Sequence, residues 1–130
     1  MTENEIGKLI VDASFNIHQR LGPGLLESVY RKVLAYELQK RGLAVAEEVP
    51  VPIVYEGLTF DQGFRADLIV EDKVLIELKS VETTIPVHKK QALTYLKLSR
   101  KRLGFLINFG APLIKEGITR LVSGLPDETI

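Results

Sequence analysis

A chain of 130 residues with 45% hydrophobic residues is long enough for one buried core and short for two, so we expect a single domain over residues 1–130. The absence of cysteine excludes a disulfide framework and a thiolate metal site, and a formal net charge of zero argues by itself against a dedicated nucleic-acid-binding protein. No apolar run approaches the roughly 20 residues that span a bilayer, and the acidic N-terminus is unlike a signal peptide. We therefore expect no membrane partner and a cytoplasmic location.

Two helices are predicted at the N-terminus. Thr2 and Glu5 have the spacing of a capping box, and an apolar stripe at helical spacing follows them. Gly22-Pro23-Gly24 breaks the pattern, because proline cannot continue a helix without cost. A second apolar stripe starts at Leu26 and ends near Gly42, a plausible C-terminal cap. The two helices are either separate or the halves of one kinked rod.

Three antiparallel strands are predicted to follow. Residues 45–55 have apolar residues at strand spacing, and Pro50 and Pro52 suit an edge strand or a bulge. Glu56-Gly57 is a turn signal that returns the chain into a second strand. A hairpin at residues 67–79 then joins the second strand to the third.

This hairpin carries charged residues inside otherwise apolar strands. A three-residue connection, Glu71-Asp72-Lys73, places Asp67 directly opposite Glu77 on one face, with the apolar residues on the other. A two-residue turn would separate the two carboxylates. Opposite Cβ atoms lie roughly 4.5–5.5 Å apart, close enough for two carboxylates to share one divalent cation, and Lys79 would lie beside them. A surface ladder of ion pairs is the alternative explanation.

A crossover helix and a buried strand are predicted after the hairpin. Pro86 is a favourable first residue for a helix to about residue 100, which would turn Ala92 and Val87 toward the core. Residues 103–109 are almost continuously apolar, which is typical of a strand buried on both faces. Residues 118–122 would add one short strand.

The charges are unevenly distributed along the chain. Residues 83–115, which we call the basic segment, contain no Asp or Glu. Their cations are Lys89, Lys90, Lys97, Arg100, Lys101, Arg102 and Lys115. Such a segment would attract a phosphate backbone. Residues 97–102 are equally well explained as a solvated helix end, where the helix dipole favours positive charge.

Several polar residues have both a structural and a functional explanation. Glu27 lies in the first turn of the second helix, where the helix dipole favours a carboxylate whatever its function. His18, one turn before the break, either approaches a site or is an ordinary surface histidine. Gln91 and Tyr95 lie four residues apart on one helix face, where packing against the sheet would also explain them.

The segment Gly24-Leu-Leu-Glu27-Ser-Val-Tyr30 resembles the motif that names the GxxExxY proteins, a branch of the PD-(D/E)xK nuclease superfamily. Further matches follow in chain order over nearly the whole chain. They are His18 ahead of the Gly-Pro-Gly break, Arg65-Ala-Asp67, Glu77-Leu-Lys79, Gln91 with Tyr95, and Leu103-Gly-Phe-Leu-Ile-Asn-Phe-Gly110. Because several motifs occur in order on suitable elements, the resemblance is specific.

The resemblance implies an α/β fold with a restriction-endonuclease-like core. Its mixed central sheet would contain three antiparallel strands and a further strand after the crossover helix, with helices on its flanks. It implies that Asp67 and Glu77 are metal-binding acids, that Lys79 is the active-site lysine, and that Glu27 is a further acid from the N-terminal region. Gln91 and Tyr95 would correspond to the glutamine and tyrosine that some superfamily nucleases carry after the active-site strand.

We therefore expect a nuclease that uses Mg²⁺ or Mn²⁺, held by Asp67, Glu77 and the backbone carbonyl of Leu78. Glu27, if it reaches the site, would allow a second metal ion. The residues expected to contact substrate are Lys89, Lys90, Gln91 and Tyr95. The expected substrate is DNA, and a homodimer would enlarge the small binding surface of one such domain. The alternatives are a non-catalytic nucleic-acid or protein-binding module, and a hydrolase of phosphorylated small molecules with a closed pocket.

Overall fold

The central feature of the computed structural model is a five-stranded mixed sheet flanked by helices. The structure describes residues 1–126, so the last four residues of the predicted domain lie outside the described residues. The elements are α1 (Glu3–Leu21), α2 (Glu27–Lys40), β1 (Val45–Tyr55), β2 (Leu58–Val70), β3 (Val74–Lys79), α3 (Pro86–Leu98), β4 (Leu103–Asn108), α4 (Ile114–Gly117) and β5 (Ile118–Val122). Among the described helices, none has the length and apolar character needed to cross a membrane.

The strands lie in the order β1-β2-β3-β4-β5. β3 and β4 are parallel, as expected for strands joined by the crossover helix α3, and all other neighbours are antiparallel. The three predicted antiparallel strands, the strand after the crossover helix and the short last strand are all confirmed. The four-residue helix α4 was not predicted, because one helical turn is too short to show a periodic pattern.

The β2–β3 hairpin has the predicted register. Leu68 pairs with Ile76 and Val70 pairs with Val74, so the connection has three residues. Glu71 and Asp72 in this connection adopt positive φ angles of 53° and 52°. Because the strand period is two, this odd connection places the Asp67 and Glu77 side chains on the same face.

β1 is an edge strand with an irregularity where its prolines occur. Its register with β2 shifts between Val51 and Ile53, the two neighbours of Pro52. A proline has no N–H to donate to a ladder, so it is tolerated at an edge or a bulge. The prediction for this strand is therefore confirmed.

Helices α1 and α2 are separate and cover one face of the sheet, whereas α3 covers the other. Two predicted core positions are wrong. Leu26 is 73% exposed because it precedes α2 as its N-cap residue. Val87 is 56% exposed because it lies five residues, or about 140° of helix rotation, from the buried Ala92.

Asn108, the last residue of β4, ties this strand to the chain that leaves β3. Its side chain is 2% exposed. Oδ1 accepts hydrogen bonds from the N–H groups of Val81 (3.0 Å) and Gly110 (3.1 Å), and Nδ2 donates to the Val81 carbonyl (2.8 Å). These bonds fix the connection between Lys79 and α3, which carry opposite walls of the cleft described below.

Replacing Asn108 with aspartate is expected to lower the free energy of unfolding by about 2 kcal/mol, because a buried carbonyl loses its donor and faces a carboxylate. Thermal unfolding would measure this as a fall in Tm of several degrees. The exposed Asn16 is the matched control, since Asn16→Asp should leave Tm nearly unchanged. Equal Tm values for the two variants would contradict the role of Asn108.

Candidate active site

A cleft of about 180 Å³ lies where β3 ends, beside α3 and the first turn of α2. All predicted site residues except Lys89 and Lys90 line it. The lining residues are Glu27, Arg65, Asp67, Glu77, Leu78, Lys79, His88, Gln91, Ala92, Tyr95 and Leu106. The structure therefore brings together residues from five separate elements and from distant parts of the sequence.

The carboxylates of Asp67 and Glu77 each accept a hydrogen bond from the backbone of the opposite strand. The Asp67 N–H donates to Glu77 Oε2 (3.0 Å), and the Leu78 N–H donates to Asp67 Oδ2 (2.8 Å). These bonds continue the hairpin beyond its last backbone pair, Leu68 with Ile76. Within the described residues, no N–H group donates to the second oxygen of either carboxylate, and the two carboxyl side chains lie within hydrogen-bonding reach of each other. Each acid is thus held in place with one oxygen left for a ligand.

The environment of Glu77 favours its protonated form. The residue is 8% exposed, and burial, followed by the charge of Asp67, raises its pKa to about 9. A backbone hydrogen bond from Asp67 and the charge of Lys79 lower the pKa of Glu77, but by less than the other effects raise it. Near neutral pH Glu77 therefore retains its proton in the metal-free protein. A divalent cation at this pair would replace the proton and offset both negative charges.

Glu27 reaches the cleft from the first turn of α2. Desolvation and the charge of Asp67 raise its pKa, while the charge of Lys79 opposes this effect. In residues 1–126, no group of three or more His, Asp or Glu side chains is close enough together to hold one metal ion. The structure thus does not gather Glu27, Asp67 and Glu77 into one ligand set, and mutual repulsion among three carboxylates is consistent with this spacing.

Lys79 is the last residue of β3 and is half-buried at the cleft. Its charge lowers the pKa of both Glu27 and Glu77, so its ammonium group lies within electrostatic reach of both acids. Across the described part of the chain, Lys79 takes part in none of the ion pairs. The ammonium group is therefore available to an anionic substrate.

Gln91 and Tyr95 project from α3 into the same cleft. The Tyr95 ring is stacked on Phe64 of β2, with centroids 4.0 Å apart and ring planes 8° from parallel. Burial, followed by the charges of Glu77 and Asp67, raises the pKa of Tyr95. Its hydroxyl therefore stays protonated and can donate a hydrogen bond into the cleft.

A protein-family model described as the PD-(D/E)XK nuclease superfamily matches residues 4–121. This chain belongs to the PD-(D/E)XK nuclease superfamily. The matched range includes every residue of the cleft. Comparisons with curated proteins and with solved structures gave no match.

Two residues of this PD-(D/E)XK cleft, Arg65 and His88, were not assigned a role from the sequence. Arg65 is two residues from Asp67 and so on the same face of β2. His88 is three residues before Gln91 on α3, within the same helix face. Strand and helix periodicity could therefore have placed both residues at the site. His88 Nδ1 accepts a hydrogen bond from the Ile85 N–H (3.2 Å), so the neutral ring carries its proton on Nε2.

The basic segment is not one continuous surface around the cleft. Lys101 pairs with Asp72 at 2.9 Å, and Arg102 pairs with Glu3 at 2.8 Å. Asp72 lies in the turn before β3, whereas Lys79 is at the other end of that strand. At least these two cations are thus neutralised away from the cleft, which the sequence could not indicate because their acidic partners are distant along the chain.

Lys89 and Lys90, which were predicted to contact substrate, do not line the cleft. They are exposed on the first turn of α3, next to the cleft residues His88 and Gln91. Their position suits a contact with a long substrate that extends beyond the cleft and not with the reacting group.

His18 lies outside the cleft. Its Nε2 is 2.8 Å from the Ala111 carbonyl oxygen, which joins the end of α1 to the loop after β4. Of the two explanations that the sequence left open, the structural one applies.

Proposed function

We propose that this chain is a divalent-metal-dependent nuclease that hydrolyses phosphodiester bonds in DNA, and that it belongs to the GxxExxY branch of its superfamily. The observation that carries the proposal is the Asp67–Glu77 pair, held by reciprocal backbone hydrogen bonds beside Lys79, which has no ion-pair partner within residues 1–126. A buried glutamate with a raised pKa, beside a second acid and a lysine, is unusual in a purely structural surface. We propose further that residues 1–130 form one domain, which acts in the cytoplasm.

The donor atoms fit a hard divalent cation. Asp67 and Glu77 each offer one free carboxylate oxygen, and the Leu78 backbone carbonyl would be the third protein ligand for Mg²⁺ or Mn²⁺. Glu27 would bind a second ion in the same cleft. When bound, such an ion acidifies a water molecule and polarises the phosphate.

The remaining cleft residues would bind and orient the substrate phosphate. The Lys79 ammonium group would contact a non-bridging oxygen and stabilise negative charge that develops there. Tyr95, Gln91 and His88 each offer a hydrogen-bond donor, and Arg65 adds a cation. Lys89 and Lys90 would contact neighbouring phosphates of the backbone. A second copy of the chain would extend the binding surface, which is small in one domain.

Single-stranded, double-stranded and branched DNA, and RNA of the same sequences, would be incubated with the protein and with Mg²⁺, Mn²⁺ or EDTA. We expect cleavage of DNA that requires the metal ion and is lost in Asp67→Asn. The exposed Asp61 of β2 is the matched control, since Asp61→Asn should cleave like the wild type. Cleavage that persists in EDTA or in Asp67→Asn would refute the proposed site.

A second candidate function is a non-catalytic nucleic-acid-binding or protein-binding module. It is favoured by the finding that the three acids do not form one ligand set among the described residues. Calorimetry separates the two functions. A nuclease should bind Mn²⁺ in the wild type and at least about tenfold more weakly in Asp67→Asn. A module should bind nucleic acid or a protein partner without binding the metal ion at this site.

A further inference from the structure

The loop of residues 22–26 leads directly to Glu27 and lacks a local cap. Leu26 is the N-cap residue of α2, and its side chain makes no capping hydrogen bond. Gly24 within the loop has a φ of 103°, a conformation that only glycine adopts without strain. The loop that precedes Glu27 therefore depends on contacts with other parts of the fold.

Tyr30 supplies two of these contacts. Its ring is fully buried and stacked on Phe109 after β4, with centroids 4.6 Å apart and planes 5° from parallel. Its hydroxyl donates to the Gly22 carbonyl (2.5 Å) and accepts from the Leu25 N–H (3.2 Å). One hydroxyl group thus joins both ends of the loop, while the ring is held against the central sheet.

Ser80 supplies a third contact, from the side of the cleft. Its hydroxyl donates to the Leu25 carbonyl (2.5 Å), and Ser80 directly follows Lys79. Leu25 is therefore held by Tyr30 through its N–H and by Ser80 through its carbonyl. The residue two positions before Glu27 is connected in this way to the residue next to Lys79.

We propose that the Tyr30 hydroxyl is a positioning group that fixes the loop of residues 22–26 and thereby places Glu27 in the cleft. The role of Glu27 rests on the nuclease function proposed above. Tyr30 is buried under the loop and lies outside the cleft lining, so it acts through Glu27 and not on the substrate. This proposal explains the spacing of three residues. Gly24 permits the turn, Glu27 is the acid that follows the turn, and Tyr30 holds the turn in place through its hydroxyl group.

Tyr30→Phe removes the hydroxyl and keeps the stacked ring. We expect kcat for DNA cleavage with Mg²⁺ to fall about tenfold and KM to change less than about twofold, because the loop no longer holds Glu27 in place. Amide hydrogen exchange at Leu25, followed by NMR, should become at least about fivefold faster, since its acceptor is gone. Tyr36→Phe, the same change at an exposed position of α2, should alter none of these quantities.

A double mutant separates positioning from general stability. If Tyr30 acts through Glu27, the change Tyr30→Phe should have no further effect on kcat in a Glu27→Gln background. The proposal is overturned if Tyr30→Phe has the wild-type kcat, if it lowers kcat equally in both backgrounds, or if Leu25 exchange is unchanged. If the wild type cleaves no substrate, the nuclease function fails, and the exchange rate of Leu25 alone then decides whether Tyr30 fixes the loop.

Discussion

Replacing Lys79 with methionine is expected to lower kcat for DNA cleavage by about a hundredfold or more, with the fold intact. Lys79 lies beside the acidic pair and has no ion-pair partner in the described residues, so its charge is available to the substrate. Removing one group that stabilises charge in the transition state typically costs a factor of about 10²–10³. Methionine keeps much of the apolar stem of the side chain.

Lys73→Met is the matched control for this variant. Lys73 lies at the opposite end of the same hairpin, where its ammonium group donates to the Met1 carbonyl (2.6 Å). Cleavage rates would be measured at saturating and limiting DNA to separate kcat from KM. A nearly normal kcat in Lys79→Met would remove Lys79 from the site, whereas similar losses in both variants would point to a general effect of charge.

The geometry of the acidic pair was predictable because it depends on local rules. Side chains alternate along a strand, so the length of the connection at residues 71–73 alone decides whether Asp67 and Glu77 share a face. The apolar residues of the hairpin agree with one register only, and that register is confirmed by the Leu68–Ile76 and Val70–Val74 pairs. The length of the connection does not predict the two hydrogen bonds, one to each carboxylate from the backbone of the opposite strand, that lie beyond the last backbone pair.

The features of the site that were not predicted from the sequence fall into two groups. Arg65 and His88 follow the same periodicity that placed Asp67 and Gln91, so their position was available from the sequence. The ion pairs of Lys101 and Arg102, in contrast, join residues 29 and 99 positions apart along the chain. No local pattern reports such contacts, and a count of charges over residues 83–115 therefore overstated the basic surface.

Glu77→Gln is expected to make the metal-free protein more stable above neutral pH and to abolish its nuclease activity. Glutamine has the shape of the protonated acid and can accept the Asp67 N–H in the same way. It also removes the buried group that would repel Asp67 on losing its proton. Because each unit of pKa shift corresponds to about 1.4 kcal/mol and the shift spans more than three units up to pH 8, we expect a gain of up to about 5 kcal/mol at pH 8.

The pH dependence follows from the pKa of Glu77, which burial and the charge of Asp67 raise to about 9 in the folded protein from its ordinary value of 4.5. Below pH 4.5 the group is protonated in both states, so it costs no stability. Between pH 4.5 and about 9, the unfolded chain loses the proton while the folded protein retains it, so the unfolded state gains stability. The wild type in EDTA should therefore lose stability across this range, and Glu77→Gln should lose less.

Chemical denaturation with EDTA at pH 5 and pH 8 would measure the difference, with the exposed Glu82→Gln as the matched control. Mg²⁺ should stabilise the wild type and narrow the difference between the two proteins. An ion bound at the pair stabilises the wild type by about 2.7 kcal/mol at a hundred times its Kd, whereas Glu77→Gln has lost a ligand charge. If Glu77→Gln is no more stable than the wild type in EDTA at pH 8, the folded protein does not raise the pKa of Glu77. If Mg²⁺ stabilises both proteins equally, Glu77 is not a metal ligand. Stabilisation of the wild type alone by Mg²⁺ would show that the ion relieves the unfavourable environment of the buried Glu77 carboxylate.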